Sequence, residues 1–190
     1  MNVDADKCIC ALAEKFNAFG ILTQDTDFLI FQISEDVHIF WSKYLNWETM
    51  ETIIIDRVKL AEHFNIPTKL LPTLATFKGN DIIPKEMQKK LHSVIYGNEI
   101  VSNHELLKKI ANFVSTENIE NFENWVENVF KDKEMTYYFK QSIESYFLTD
   151  EDIINPMGHK HEIDLKDPIW NALRALLADY QEGIHRHVTT

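Results

Sequence analysis

The strongest constraint on this chain is a change in the period of its apolar residues. Over the first part, helical and extended spacings alternate. Ala5, Cys8, Ile9, Leu12, Ala13 and Phe16 repeat at helical spacing, and the stretch ends near Asn17 and Gly20. Four short apolar runs follow and read as strands: Gly20 to Leu22, Phe28 to Phe31, Val37 to Trp41 and Thr52 to Ile55. Asp56 then has the place of a helix cap, with Val58, Ala61 and Phe64 on the inward face. A further helix carries Leu70, Leu71, Leu74, Ala75 and Phe77 and stops at Gly79. Such alternation predicts an α/β layer built on a mostly parallel sheet.

Beyond about Ile100 only the helical period remains. Ser102 and Glu105 have capping-box spacing ahead of Leu106, Leu107, Ile110 and Val114. A second stripe runs through Ile119, Phe122, Trp125, Val126, Val129 and Phe130, and a third through Met135, Tyr138, Phe139, Ile143, Tyr146 and Phe147. A polar break from Thr149 to Asp152 and an irregular segment precede a last helix that starts at Asp167-Pro168. The expected organisation is thus an α/β region over 1–100 and an all-helical extension over 101–190. The apolar share, 45%, is enough for a packed core. No apolar run reaches the length of about 18 residues that a membrane span needs. The first residues lack the basic flank and apolar stretch of a signal peptide. Cys8 and Cys10 are too close for an unstrained disulfide, so reduced thiols in an intracellular protein are expected.

Formal net charge is -11 and the sequence pI about 5.1, a poor footprint for holding a polyanion. Either the carboxylates gather at a divalent-metal site, or the chain does not bind nucleic acid strongly.

The aspartates have an order that bears on this choice. Asp4 and Asp6 stand at the start of the first helix. Asp25 and Asp27 follow the strand Gly20-Ile21-Leu22, and Asp81 closes Gly79-Asn80-Asp81 after a helix. Loops at the carboxyl ends of strands are where α/β folds hold ligands. Hard divalent cations take oxygen ligands, and a pair of them can stabilise both oxygens of an in-line phosphodiester displacement. Each aspartate also has a plainer reading. Asp4 can be a helix cap, Asp25 and Asp27 an Asx turn, and Asp81 a turn residue. The eight histidines are scattered; His159 with His161 and His185 with His187 lack companion zinc ligands. No phosphate-binding Gly-rich loop or nucleophile elbow is present.

The order acidic pair, helix, strand, D-x-D, apolar run, two helices and G-N-D resembles the internal region of the XPG and flap endonuclease superfamily, which has a PIN-like fold. The segment Leu70-Leu71-Pro72-Thr73-Leu74-Ala75-Thr76-Phe77-Lys78-Gly79-Asn80-Asp81 is most similar to the asteroid homologues and to the constitutive coactivators of PPAR-gamma. The resemblance implies a PIN-like, mostly parallel sheet flanked by helices, then a helical C-terminal extension, with the N-terminal part of that fold absent. It implies, for the complete form, a metal-dependent, structure-selective nuclease acting on structured DNA or RNA, with Mg²⁺ or Mn²⁺ held by Asp4, Asp6, Asp25, Asp27 and Asp81. It also implies an enzyme left incomplete in this chain, without the carboxylates that the missing part would supply. Asp25, Asp27 and Asp81 would be the catalytic members. The coactivator branch implies an alternative, a catalytically inactive adaptor for RNA or protein, and a nuclear setting. The glycine-rich hairpin of classical members is missing after Asp81. A helix with Lys85, Lys89 and Lys90 stands in its place, where a phosphate backbone or only solvent could meet it.

Overall fold

Five local capping devices fix most of the helix starts. The computed structural model describes residues 4–97, 102–116 and 122–155, all within the compact unit Met1–Pro156. The expected last helix, the histidine pairs near the C-terminus and Ile119 lie outside the described residues. Helix α1, Ala5–Lys15, begins where Asp4 Oδ1 accepts the N–H groups of Asp6 and Lys7. Helix α2, Arg57–His63, begins in the same way on Asp56. Helix α5, Asn103–Thr116, carries the Ser102/Glu105 box that its spacing predicts. Asp132 caps α7, Lys133–Ser145, and a Thr149/Asp152 box opens α8, Asp150–Ile154. The remaining helices are α3, Leu71–Lys78, α4, Lys85–Tyr96, and α6, Phe122–Phe130.

The sheet is small and mixed. Strand β1, Gly20–Thr23, lies parallel to β2, His38–Asn46, with Ile21 opposite Ile39. Strand β3, Glu51–Ile55, runs antiparallel to β2, with Ile39 opposite Ile55. The expected mostly parallel sheet is corrected by that hairpin. Asn46 Oδ1 accepts the N–H groups of Glu48 and Thr49, and Met50 takes φ 55°. The four-residue link 47–50 can only return antiparallel, because a parallel neighbour needs a crossover of a dozen residues or more. Leu22, Phe40 and Ile54 form one cross-strand row on the face opposite Ile21 and Ile39.

The expected strand Phe28 to Phe31 is a second correction, since the chain there forms a 3-10 turn over Thr26–Leu29. Thr23 Oγ1 accepts Asp25 N–H at 2.9 Å, and Asp25 Oδ1 accepts Asp27 N–H at 3.0 Å. Two side-chain acceptors in succession stop the extended chain. Phe28, Leu29 and Phe31 are buried all the same; a short apolar run reports burial, not period. In α2, Ala61 is buried and Phe64 packs against the core as expected, but Val58 faces outward and Arg57 turns inward. The buried Arg57 guanidinium donates to the carbonyl oxygens of Phe31, Ile33 and Ser34 at 2.7, 2.9 and 2.8 Å. Phe31 O also accepts Ile33 N–H at 3.1 Å and Ser34 O accepts Val37 N–H at 3.2 Å, so the forked cation adds donors to a loop that partly satisfies itself.

Two apolar clusters hold the molecule. One gathers Cys10, Ala13, Ile21, Phe28, Phe31 and Ile39 around the sheet. The other gathers Leu71, Leu74 and Phe77 of α3 with Leu91, Ile110, Val114, Val126, Met135 and Phe139 from α4 to α7. Phe77 is its hub, with ring centroids 5.7 Å from Phe113, 5.7 Å from Trp125 and 5.9 Å from Phe139. The helices on both sides of residue 100 therefore share one core. The end of α7 then returns to the sheet side. Tyr146 joins the first cluster, its carbonyl accepts Gln32 N–H at 2.8 Å, and α8 is tied to α1 by the Lys7–Asp152 ion pair at 3.1 Å. Among the described residues no helix is long and apolar enough to cross a membrane.

Candidate functional site

The turn after α3 shows how the sequence builds one wall of the site. Gly79 takes φ 99°, and a Cβ there would run into the Gln88 side chain, whose amide donates to Lys78 O. Only glycine fits this close approach with a positive φ. Asn80 then folds the chain over itself: its Oδ1 accepts the N–H groups of Ile82 at 3.1 Å and Ile83 at 3.2 Å. Its Nδ2 must therefore be the donor to Ser142 Oγ at 2.8 Å and to the Tyr146 hydroxyl oxygen at 3.1 Å. Ser142 in turn shares a hydrogen bond with Thr76. The turn chemistry considered for Asp81 is carried by Asn80, and the Asp81 carboxylate has no hydrogen bond to the described residues.

Asp81 faces a cleft of about 620 Å³ whose lining also includes Asp25, Asp27, Lys78, Asn80 and Tyr146. The lining also holds apolar residues, among them Leu60, Phe64, Leu71, Leu74 and Leu107. The structure thus brings Asp25, Asp27 and Asp81 to one cavity from the end of β1 and the end of α3. Asp4 and Asp6, at the start of α1, are not part of that lining but share its electrostatic field. Burial, then Asp25, Asp6, Asp81 and Asp4, raise the Asp27 carboxyl above its ordinary value. Burial, then Asp25 and Asp4, do the same to Asp6. Like charges held near one another disfavour ionisation, and a cation among them relieves the repulsion.

The plainer reading is also realised in part. Asp4 caps α1 and Asp25 caps the 3-10 turn, each through Oδ1. The donor set is all oxygen, which suits a hard cation. Among the described residues no group of three or more His, Cys, Asp or Glu side chains stands close enough together to hold a metal ion by itself. Mg²⁺ tolerates such a site, because it keeps several waters and uses one or two carboxylates with substrate oxygens.

Tyr146 is the cleft residue that the sequence did not single out. Its helical spacing put it in an apolar stripe, and its ring does pack edge-on against Phe31 at 5.5 Å. Its meeting with Asn80 joins positions 66 apart, and no local pattern signals that. The other candidates stand elsewhere. Lys89 pairs with Glu86 at 2.9 Å and Lys90 with Asp132 at 3.7 Å, and neither these nor Lys85 line the cleft. Cys10 is fully buried, and burial first, then Asp6, pushes its thiol up to about 12, the state of an inert structural thiol.

Fold and cleft together define an α/β protein with a three-stranded mixed sheet, many helices and carboxylates gathered at the ends of its elements. Residues 64–150 match the model of the FAM120A-like domain. The human "Constitutive coactivator of peroxisome proliferator-activated receptor gamma" is 36% identical over 84 residues, 44% of this chain and 9% of that protein. Its Bos taurus counterpart is 32% identical over 84 residues, 44% of this chain and 12% of that protein. The Danio rerio "Single-strand DNA endonuclease ASTE1" is 32% identical over 104 residues, 50% of this chain and 15% of that protein. The chain is thus similar to both branches named from its motifs, and it spans less than a sixth of the length of these curated relatives. No solved structure matches. The family match includes Asn80, Asp81, Ser142 and Tyr146 and leaves out the four aspartates of α1 and the β1 loop.

Proposed function

We propose that this chain is the acidic core of a PIN-like, asteroid-type nuclease that uses Mg²⁺ or Mn²⁺ to act on DNA or RNA. One observation carries the reading: Asp25, Asp27 and Asp81, from separate loops, line a single cleft. Asp27 and Asp81 are the primary metal-holding groups. Asp25 divides its oxygens between the turn cap and the cleft, and Asp6 and Asp4 deepen the negative potential behind them. Bound metal would supply the charge that draws in a phosphodiester and stabilises the oxygens of its displacement. The carboxylates would position that ion, and the cleft lining adds apolar residues beside them. The endonuclease named among the relatives favours this reading. The coactivator relatives, and this chain's own net charge of -11, favour a second: a non-catalytic nuclease-fold adaptor that binds RNA or protein, with a nuclear setting.

Fluorescent flap, single-stranded and hairpin oligonucleotides, incubated in Mg²⁺ and separately in Mn²⁺, decide between them. Metal-dependent cleavage should fall more than about 100-fold in Asp27→Ala, since even partners one shell out from a metal cost about 10–100-fold. Binding without cleavage moves the adaptor reading ahead. Cleavage that survives the substitution, or neither binding nor cleavage with either ion, contradicts the nuclease proposal.

A further inference from the structure

We propose that the Tyr146 phenol is a ligand-contacting group of the cleft, giving a hydrogen bond to a phosphate oxygen of a bound nucleotide. The proposal rests on the metal-site reading above and adds a neutral donor to it. Tyr146 is 4% exposed and lines the same cleft as Asp25, Asp27 and Asp81. The direction of its bond to Asn80 is fixed, because Asn80 Oδ1 is taken by two backbone N–H groups and Nδ2 can only donate. The phenol oxygen is therefore an acceptor there, and its own hydrogen has no acceptor among the described residues. A nearly buried hydroxyl with an unassigned hydrogen at a cavity wall is poised to donate inward.

The surroundings select what it can donate to. Burial first, with Asp27 and Asp81 behind it, pushes the phenol up against the lowering effect of the Asn80 bond, so it stays protonated at neutral pH. A neutral O–H adds no charge to a field of carboxylates that must also hold a cation. It can approach a phosphate oxygen without competing for the metal, and hydrogen bonds to charged acceptors are the stronger kind.

Tyr146→Phe keeps the ring against Phe31 and removes only the hydroxyl. Calorimetry with Mg²⁺ alone, then with thymidine 5′-monophosphate in saturating Mg²⁺, and with thymidine as the phosphate-free control, gives the test. Mg²⁺ affinity should stay within about twofold, while nucleotide affinity falls about tenfold or more and thymidine affinity does not change. In the unmutated protein carrying ¹³Cζ-tyrosine, the Tyr146 resonance should move with the nucleotide and hold still with thymidine. Intact Mg²⁺ binding with unchanged nucleotide affinity, or an equal loss for nucleotide and thymidine, overturns this proposal alone. A flat Mg²⁺ isotherm in the unmutated protein overturns the metal-site reading, and this proposal with it.

Discussion

At Asp27 burial and four neighbouring carboxylates act in one direction, and all of them raise its pKa. A carboxyl whose folded pKa lies above its unfolded value of 3.8 contributes stability that is complete below that value. The contribution is lost as pH rises through the folded pKa. At neutral pH the ionised group is then a standing cost that metal would offset. Asp27→Asn should raise the Tm at neutral pH by a few degrees, and the gain should vanish toward about pH 3, where the native carboxyl is protonated. Thermal melts across that range check it, and an undiminished gain in acid would contradict the electrostatic account. Gly79→Ala places a Cβ against Gln88 at φ 99° and should cost roughly 1–3 kcal/mol in chemical denaturation. Of the cleft lining, Asp25, Asp27 and Asp81 stood out in the sequence because acidic groups at element ends form an order along the chain, whereas Asp4 and Asp6 of the same order lie outside that lining. Tyr146 and the bonding of Asn80 did not stand out, because their meaning arises only when α7 crosses back over the G-N-D turn.

The elements that local chemistry decides were readable. Asp4, Asp56 and the Ser102/Glu105 box cap helices as their spacing implied. Those decided by a choice of partners were not. The apolar run after Asp27 satisfied a strand pattern, yet the acceptors on Thr23 and Asp25 committed it to a 3-10 turn. The direction of β3 depended on the Asn46 turn, and the inward turn of Arg57 in place of Val58 depended on loop carbonyls that only the fold brings to it. That cation pins the loop running from the acidic turn to the sheet. Arg57→Met keeps most of the side-chain volume but removes three hydrogen bonds and takes from Ile33 O its donor. It should cost about 3 kcal/mol, read by denaturant unfolding. A change of less than about 0.5 kcal/mol would mean that solvent reaches these carbonyls freely.

For the whole molecule, the sequence suggests a division near residue 100, whereas α3 packs with α5 and α7 in one core. A chain cut to residues 1–100 loses Ile110, Val114, Val126, Met135 and Phe139 from around Phe77, and Tyr146 from the sheet side. It should lack a cooperative thermal transition, and a sharp melt from that piece would contradict the shared core. In the full chain, Phe77→Ala should cost about 3–5 kcal/mol. The same return of the end of α7 onto the sheet side brings Tyr146 into the cleft lining, so core and site depend on one another.

If the clustered carboxylates hold a divalent cation, calorimetric titration with Mn²⁺ should show one saturable event. That event should be lost in Asp27→Asn and kept in Glu86→Gln, whose carboxylate lies outside the cleft lining. No saturable heat in the unmutated protein, or equal binding by Asp27→Asn, would contradict the metal-site reading.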